Sequence, residues 1–373
     1  MTVEGQGEVR AVLPPLARRR SLLRGGGLAE LGSRAFPTVL IGALVLMIID
    51  VAARSGVSVA GSQLVNGITK GAIFALIAVG YTMVYGIIEL INFAHGDVFT
   101  LSAVYGKEIG RGLSWIGMSL WGVSLGSLAT RGPLGLAAVL LVLFPLTMAA
   151  TGITGVLIER VAYRRLRDAP RLAPLITAVG VSFILEGSML VTQGSSNVRT
   201  DKEGWIRGTA FTAGGVDVHW ADIFVVGMAL LMMFALQAFI RSTRLGKAMR
   251  ATAQDRDAAL LSGVNINRTI AATFFIGSAL AAAGGLIYSI FFDSVVWNLG
   301  FGFGIIAFTA AVLGGIGNIV GAGLGGFLIG LIYVFGGQIT SGQWSNSIVF
   351  AMLIVVLTFR PVGLLGMRVP DRA

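Results

Sequence analysis

The chain has 373 residues, of which 55% are hydrophobic and 12% charged, with a mean hydropathy of +0.83. No soluble domain of ordinary composition is so poor in charge, so the composition predicts an integral membrane protein. The net charge of +10 predicts no nucleic-acid partner, because the basic residues fall in short loops between apolar runs, where they set orientation in the membrane; the lack of cysteine excludes disulfides, thiolate metal sites and cysteine nucleophiles.

Residues 1–35 carry Arg10, Arg18, Arg19, Arg20, Arg24 and Arg34 beside Pro14, Pro15 and a triple glycine, with no lasting periodicity, and read as a disordered cytoplasmic tail. A first span is expected over 36–52, followed by a short outer loop at 54–63. The next runs from Gly71 to Leu90 and leads into INFAHGDVF, after which an apolar piece reaches about Tyr105. Asn92, His95, Gly96 and Asp97 cannot sit in hydrocarbon without internal partners, so they predict a helix break lining a protected or watery space. Lys107, Glu108 and Arg111 then interrupt the apolar pattern, and most of 107–131 is expected outside.

A span over 133–158 ends in ERVAYRRLRDAPR, whose Arg160, Arg164, Arg165, Arg167 and Arg171 mark the cytoplasm. Spans follow over 172–191 and 221–240, joined by an outer loop at 193–220. After a polar stretch, 270–290, 303–317, 320–336 and 348–359 supply four more crossings, the second of them short. The predicted fold is therefore all-α: a polytopic helical bundle of about 8 to 10 spans with discontinuous helices. A permease domain would occupy 36–366, with 367–373 as a second cytoplasmic tail. Ten spans put both termini in the cytoplasm.

The polar stretch is RSTRLGKAMRATAQDRDAALLSGVNINR, Arg241 to Arg268. Within it Asp255 is a good N-cap, Asp257 places negative charge where the helix dipole favours it, and Gly263 suits the left-handed position after a last turn. A helix of about two turns, Arg256 to Ser262, follows. One so short persists only if something packs on it. Its small residues, Ala258 and Ala259, invite close docking of a partner.

A second cluster, Gly314, Gly315, Gly317 and Asn318, predicts another helix break, while the later glycines through Gly330 have the spacing of close helix packing. Paired with INFAHGD it matches the transporter pattern of Gly-interrupted segments in both halves, where freed backbone groups face substrate. Gly122 to Gly126, GVSLG, fits the nucleophile-elbow pattern around Ser124, yet no strand–turn–helix context surrounds it. No phosphate loop is present, since Gly246-Lys247 has Arg241 where the earlier glycine belongs. If ATP drives this protein, another chain hydrolyses it.

Asp257-Ala258-Ala259-x3-Gly263 resembles the EAA-x3-G signature of ABC-importer permeases, whose short helix docks in a groove of the ATPase. More of the chain carries a narrower likeness. GYTMVYGIIELINFAHGD (80–97), LIERVAYRRLR (157–167), RLAPLITAVGVSFIL (171–185), TRLGKAMRATAQDRDAALLSGVN (243–265), AFTAAVLGGIGNIVGA (307–322) and LTFRPVGLLG (357–366) together resemble the LivH-type permease of branched-chain amino acid ABC importers. The resemblance implies a related second permease subunit, two cytoplasmic ATPase subunits holding ATP-Mg, an extracytoplasmic solute-binding protein and an amino acid substrate. It implies no cofactor on this chain itself. By the same resemblance Asp255, Asp257, Ala258, Ala259 and Gly263 would couple to the ATPase. Asn92, His95, Gly96, Asp97 and Gly314, Gly315, Gly317 and Asn318 would line or shape the path. Urea and short-amide importers look closely similar, so the solute stays open. An ion-coupled carrier relaying protons through His95 and Asp97, or a membrane enzyme using Ser124, are the readings from other classes. The chain departs from the family in its Arg-rich start, in the charges near Lys107, and in Ile306, where such permeases often carry Lys.

Overall fold

In the computed structural model residues 26–366 are described, apart from 91, 168, 171, 201, 203 and 204, with the side chains of 26–34 and 121 left aside. The stretches 1–25 and 367–373, expected as cytoplasmic tails, lie outside the described residues. The helices are α1 (Gly26–Ser55), α2 (Val57–Ile88), α3 (Ala94–Trp121), α4 (Leu125–Ala129), α5 (Pro133–Ile158), α6 (Leu172–Gln193), α7 (Trp220–Ser242), α8 (Arg244–Gln254), α9 (Arg256–Leu261), α10 (Ile266–Phe292), α11 (Leu299–Gly314), α12 (Ile319–Ile339) and α13 (Ser345–Phe359). Four short strands form two antiparallel pairs: β1 (Val198–Arg199) with β4 (Ser294–Val295), and β2 (Thr209–Ala213) with β3 (Val216–His219).

Among the described residues eight helices are long and apolar enough to cross a membrane. α11 is apolar but has 16 residues, about 24 Å at 1.5 Å per residue, short of a hydrocarbon core of about 30 Å. The centre of the bundle is α2, whose residues from Ala72 to Val79 are almost wholly buried. Helices α7, α10, α11 and α12 all pack against it. Small residues allow the enclosure: Gly326 and Gly330 of α12 press on the backbone of Ala75 and Gly71, where any Cβ would overlap. In lipid such close approach supplies the packing that the hydrophobic effect cannot. A buried hydrogen bond of 2.9 Å from Thr69 Oγ1 to Asp222 Oδ1 ties α2 to α7. α1, α6, α7 and α13 form the rim and keep large apolar side chains exposed, as a lipid-facing surface should.

The structure corrects several expectations. The outer loop at 54–63 does not exist: α1 and α2 are separated only by Gly56 at φ +98. Helix α1 begins at Gly26, inside the stretch read as a disordered tail. The interrupted region after Tyr105 is for the most part a continuation of α3 to Trp121. Its charges are accommodated on the helix, with Lys107 Nζ donating to Gln193 Oε1 at 3.2 Å and Arg111 pairing with Glu108 at 3.5 Å. The loop at 193–220 holds the β2–β3 hairpin, turned by Gly214 and Gly215 at φ +60 and +79. Both forecast helix breaks are present. α2 stops at Ile88 with Glu89 in the left-handed region, and α11 and α12 are separated by Gly315 and Gly317 at φ +109 and +88.

The bundle has two distinct ends. One carries α8 and α9, the close of α2, the turn at 159–167, the α11–α12 junction and the segment 360–366. The other carries the strands, with Gly61 against Val216 and Thr200 bonded to Asp293. They are called here the α9 end and the hairpin end.

Candidate functional site

Helix α9 forms as its capping residues dictate. Asp255 accepts from the backbone N–H of Asp257 and Ala258 at 2.9 and 3.0 Å, occupying two of the donors a helix start leaves free. At the other end Gly263, at φ +82, donates to Leu260 O and Val264 donates to Ala259 O, closing the helix in a Schellman motif. The two alanines, expected to share one docking face, point different ways: Ala259 is buried against the chain, while Ala258 is exposed. Beside it Leu260 and Leu261 are 61% and 89% exposed. An apolar edge that sits outside the spans and is left bare is a surface awaiting cover.

Arg256, which the sequence reading passed over, reaches from α9 to the end of α2 and donates to Ile88 O at 2.8 Å. A guanidinium on the last carbonyls of a helix satisfies acceptors that have no partner inside it. Arg256 thus ties α9 to the central helix. Nearby, Glu159 is fully buried and holds Arg164 at 2.8 Å and Arg167. Arg167 also donates to Asn267 at the start of α10, at 2.6 Å. Burial draws the Arg167 guanidinium below its ordinary value, opposed by the Glu159 carboxylate. Glu159 begins a π-helical turn, 159–163, at the foot of α5. This network therefore fastens α5 to α10 at the α9 end.

The residues of the first break lie deeper. His95 packs on Gly80, roughly 12 Å from the Ile88 end of α2 at about 1.5 Å per residue. Its ring meets Tyr81 edge-on at 5.2 Å, and its Nε2 has no hydrogen-bond partner. Gly96 lies against Gly300 and Gly304 of α11, so the first turns of α3 and α11 cross inside the bundle. Asp97 accepts from Ser182 of α6 through Oδ2, and its Oδ1 is buried without a partner. Asn92 accepts from Tyr163 Oη at 2.9 Å and is 5% exposed, so it closes a contact rather than facing open space.

The second break is elsewhere. Gly314 packs on Gly321, Gly315 on Gly366, and Asn318 caps α12 through Gly321 N while donating to Leu365 O at 2.9 Å. These residues lie at the α9 end, about 15 Å along α11 from Gly304. The two groups read together in the sequence are two places, joined by α11.

A cavity of about 190 Å³ opens on the hairpin side of the first break. It is lined by Lys70, Ile73 and Phe74 of α2, Tyr288 and Phe292 of α10, Phe303 of α11 and Tyr333 of α12. Lys70 Nζ stands 5.4 Å from the centre of the Tyr333 ring, within cation–π range. Toward His95 the cavity meets packed rings: Phe303 stacks on Phe99 at 5.7 Å and meets Phe74 and Tyr288 edge-on at 5.4 Å. Lys70 sits about 20 Å from the Val57 end of α2 and about 27 Å from the Ile88 end, on the hairpin side of the first break, and is half-buried. An ionisable side chain inside a span makes a functional role the default. The sequence signal was a single Lys in an otherwise apolar run, NGITKGAIFALIAVG.

A family model described as the branched-chain amino acid transport system permease component matches residues 63–357. The chain belongs to this permease family. The permease is 42% identical over 306 residues to the high-affinity branched-chain amino acid transport system permease protein BraD of Pseudomonas aeruginosa, a match covering 82% of this chain and 95% of the relative. It is 39% identical over 309 residues to LivH of Escherichia coli K12, covering 82% and 94%. A more distant likeness, 29% over 211 residues, is to an autoinducer 2 import system permease protein of Escherichia coli, covering 52% and 61%. No solved structure matches. As a permease component the chain is a transport subunit and not an enzyme. Ser124 caps α4 by accepting from Ser127 N at 3.1 Å.

Proposed function

We propose that this permease forms part of the membrane core of an ATP-driven importer for branched-chain or related amino acids and works by alternating access. Two cytoplasmic ATPase subunits holding ATP-Mg, a second permease subunit of related type and an extracytoplasmic solute-binding protein would complete the complex. The observation that carries the reading is the capped helix α9, bare at Ala258, Leu260 and Leu261 yet fastened to α2 through Arg256. A partner that grips α9 gains a lever on the most buried helix of the bundle. The contact would involve Asp257, Ala258 and both leucines, with Asp255, Ala259 and Gly263 holding the helix in shape. His95, Gly96 and Asp97 would shape the path where α3 and α11 cross, and Asn92 would brace it. Gly314, Gly315, Gly317 and Asn318 would serve as the joint between α11 and α12.

On this reading the α9 end faces the cytoplasm, as do both termini. A single cysteine at Ser262 is then expected to react only in inside-out vesicles of the cytoplasmic membrane, and one at Ser196 only in right-side-out cells. Reaction of both from outside would contradict this topology. Uptake of leucine should stop on ATP depletion and survive an uncoupler. The opposite pattern would favour a proton-coupled carrier using His95 and Asp97.

A further inference from the structure

We infer that the cavity around Lys70 is a binding station for a carboxylate-bearing solute, the carboxylate on Lys70 and the apolar side chain against the aromatic wall. This deepens the importer reading and rests on it for the identity of the solute. Four helices, α2, α10, α11 and α12, converge on the cavity, so it changes shape whenever they shift. None of the described ion pairs includes Lys70, and its ammonium stands over the Tyr333 ring at 5.4 Å. A half-buried ammonium lacking an acid partner is completed by an incoming anion, and a carboxylate gives the charge-assisted hydrogen bonds an ammonium makes best. Ile73, Phe74 and Phe303 offer an apolar surface of the kind a branched aliphatic side chain fills. The ring faces of Tyr288 and Tyr333 can take the solute's own ammonium.

Size and position narrow the occupant. At about 190 Å³ the space is below the 300–1,000 Å³ or so typical of sites for drug-sized ligands, and suits a single small amino acid. It lies on the hairpin side of the packed rings of Phe99 and Phe303, so an occupant has entered the bundle without having crossed it. A solute with no carboxylate, such as urea or a short amide, would leave Lys70 unpaired. The cavity therefore selects an acid over its amide.

The test uses the complete complex in lipid vesicles. Acylation of Lys70 by N-acetoxysuccinimide is followed by peptide mass spectrometry, with Lys247 as the reference. L-leucine and 4-methylpentanoate are expected to slow the reaction at Lys70, while L-leucinamide does not. Equal protection by leucinamide, or none by leucine, overturns the site. In transport, Lys70→Met should lower leucine uptake about tenfold or more, the worth of one charge-assisted contact, and Lys70→Arg should restore most of it. Co-purification of Lys70→Met with its partners controls for folding, and uptake by that variant at the wild-type rate also overturns the site. Failure of the wild-type complex to import leucine with ATP would sink the importer reading instead, and the protection result would still decide the cavity.

Discussion

Glu159→Ala is expected to cost about 3–5 kcal/mol of stability, because removing one partner of a buried ion pair leaves the other charges uncompensated. Here the loss strands the Arg167 guanidinium, 13% exposed, while Arg164, 34% exposed, keeps its water. Arg164 and Arg167 both turn to the fully buried Glu159, and Arg167 also feels the charge of Arg256. The thermal midpoint of the purified complex should fall well below wild type. Glu159→Gln keeps the shape and one acceptor, so its fall should be smaller. In the double variant Glu159→Ala with Arg167→Ala, part of the penalty should be recovered, since the stranded cation is gone. Equal midpoints for wild type and Glu159→Ala would mean that the network adds nothing to the fastening of α5 to α10.

The second large effect is at α9. Gly263 stands at φ +82 with open space around a would-be Cβ, so a substitution there meets backbone strain and no clash. Valine, β-branched, should lose about 1–2 kcal/mol in the left-handed region, enough to fray a helix of six residues. Ala258→Trp adds bulk to the exposed edge of α9 without touching the spans. Both variants are expected to insert at normal levels and to lose nearly all uptake. Retention of uptake by Ala258→Trp would mean that this edge is not gripped.

The caps of α9 were legible in the sequence because capping is local: Asp255 and Gly263 act within a few residues of themselves. Both helix breaks were legible for the same reason, since INFAHGD sets polar side chains just past the end of an apolar helix and GGIGN holds Gly315 and Gly317, whose positive φ a continuing helix does not adopt. The β2–β3 hairpin was missed although TAFTAGGVDVH carries alternation around a Gly-Gly turn, a signal also local. The extent of α3 was hidden because hydropathy counts Lys107 and Arg111 as breaks, while on the helix they find Gln193 and Glu108. Lys70 and Glu159 were beyond reach for a different reason. Their meaning comes from side chains that other helices and turns bring to them, and a lone Lys in an apolar run or a Glu in a basic one does not reveal those neighbours. The facing of Ala259 inward and Ala258 outward is likewise a tertiary fact.

The central claim, that ATPase motion enters the membrane through α9, is tested most directly by leucine-stimulated ATP hydrolysis in vesicles holding the complete complex with its solute-binding protein. Leu261, 89% exposed, is the side chain to change, because Leu261→Asp removes apolar contact without disturbing the spans. The account predicts that the wild-type complex hydrolyses ATP faster when leucine and the binding protein are present, and that the Leu261→Asp complex shows no such stimulation and releases its ATPase subunits on purification. Stimulation and retention of the ATPase subunits at wild-type levels in Leu261→Asp would contradict it.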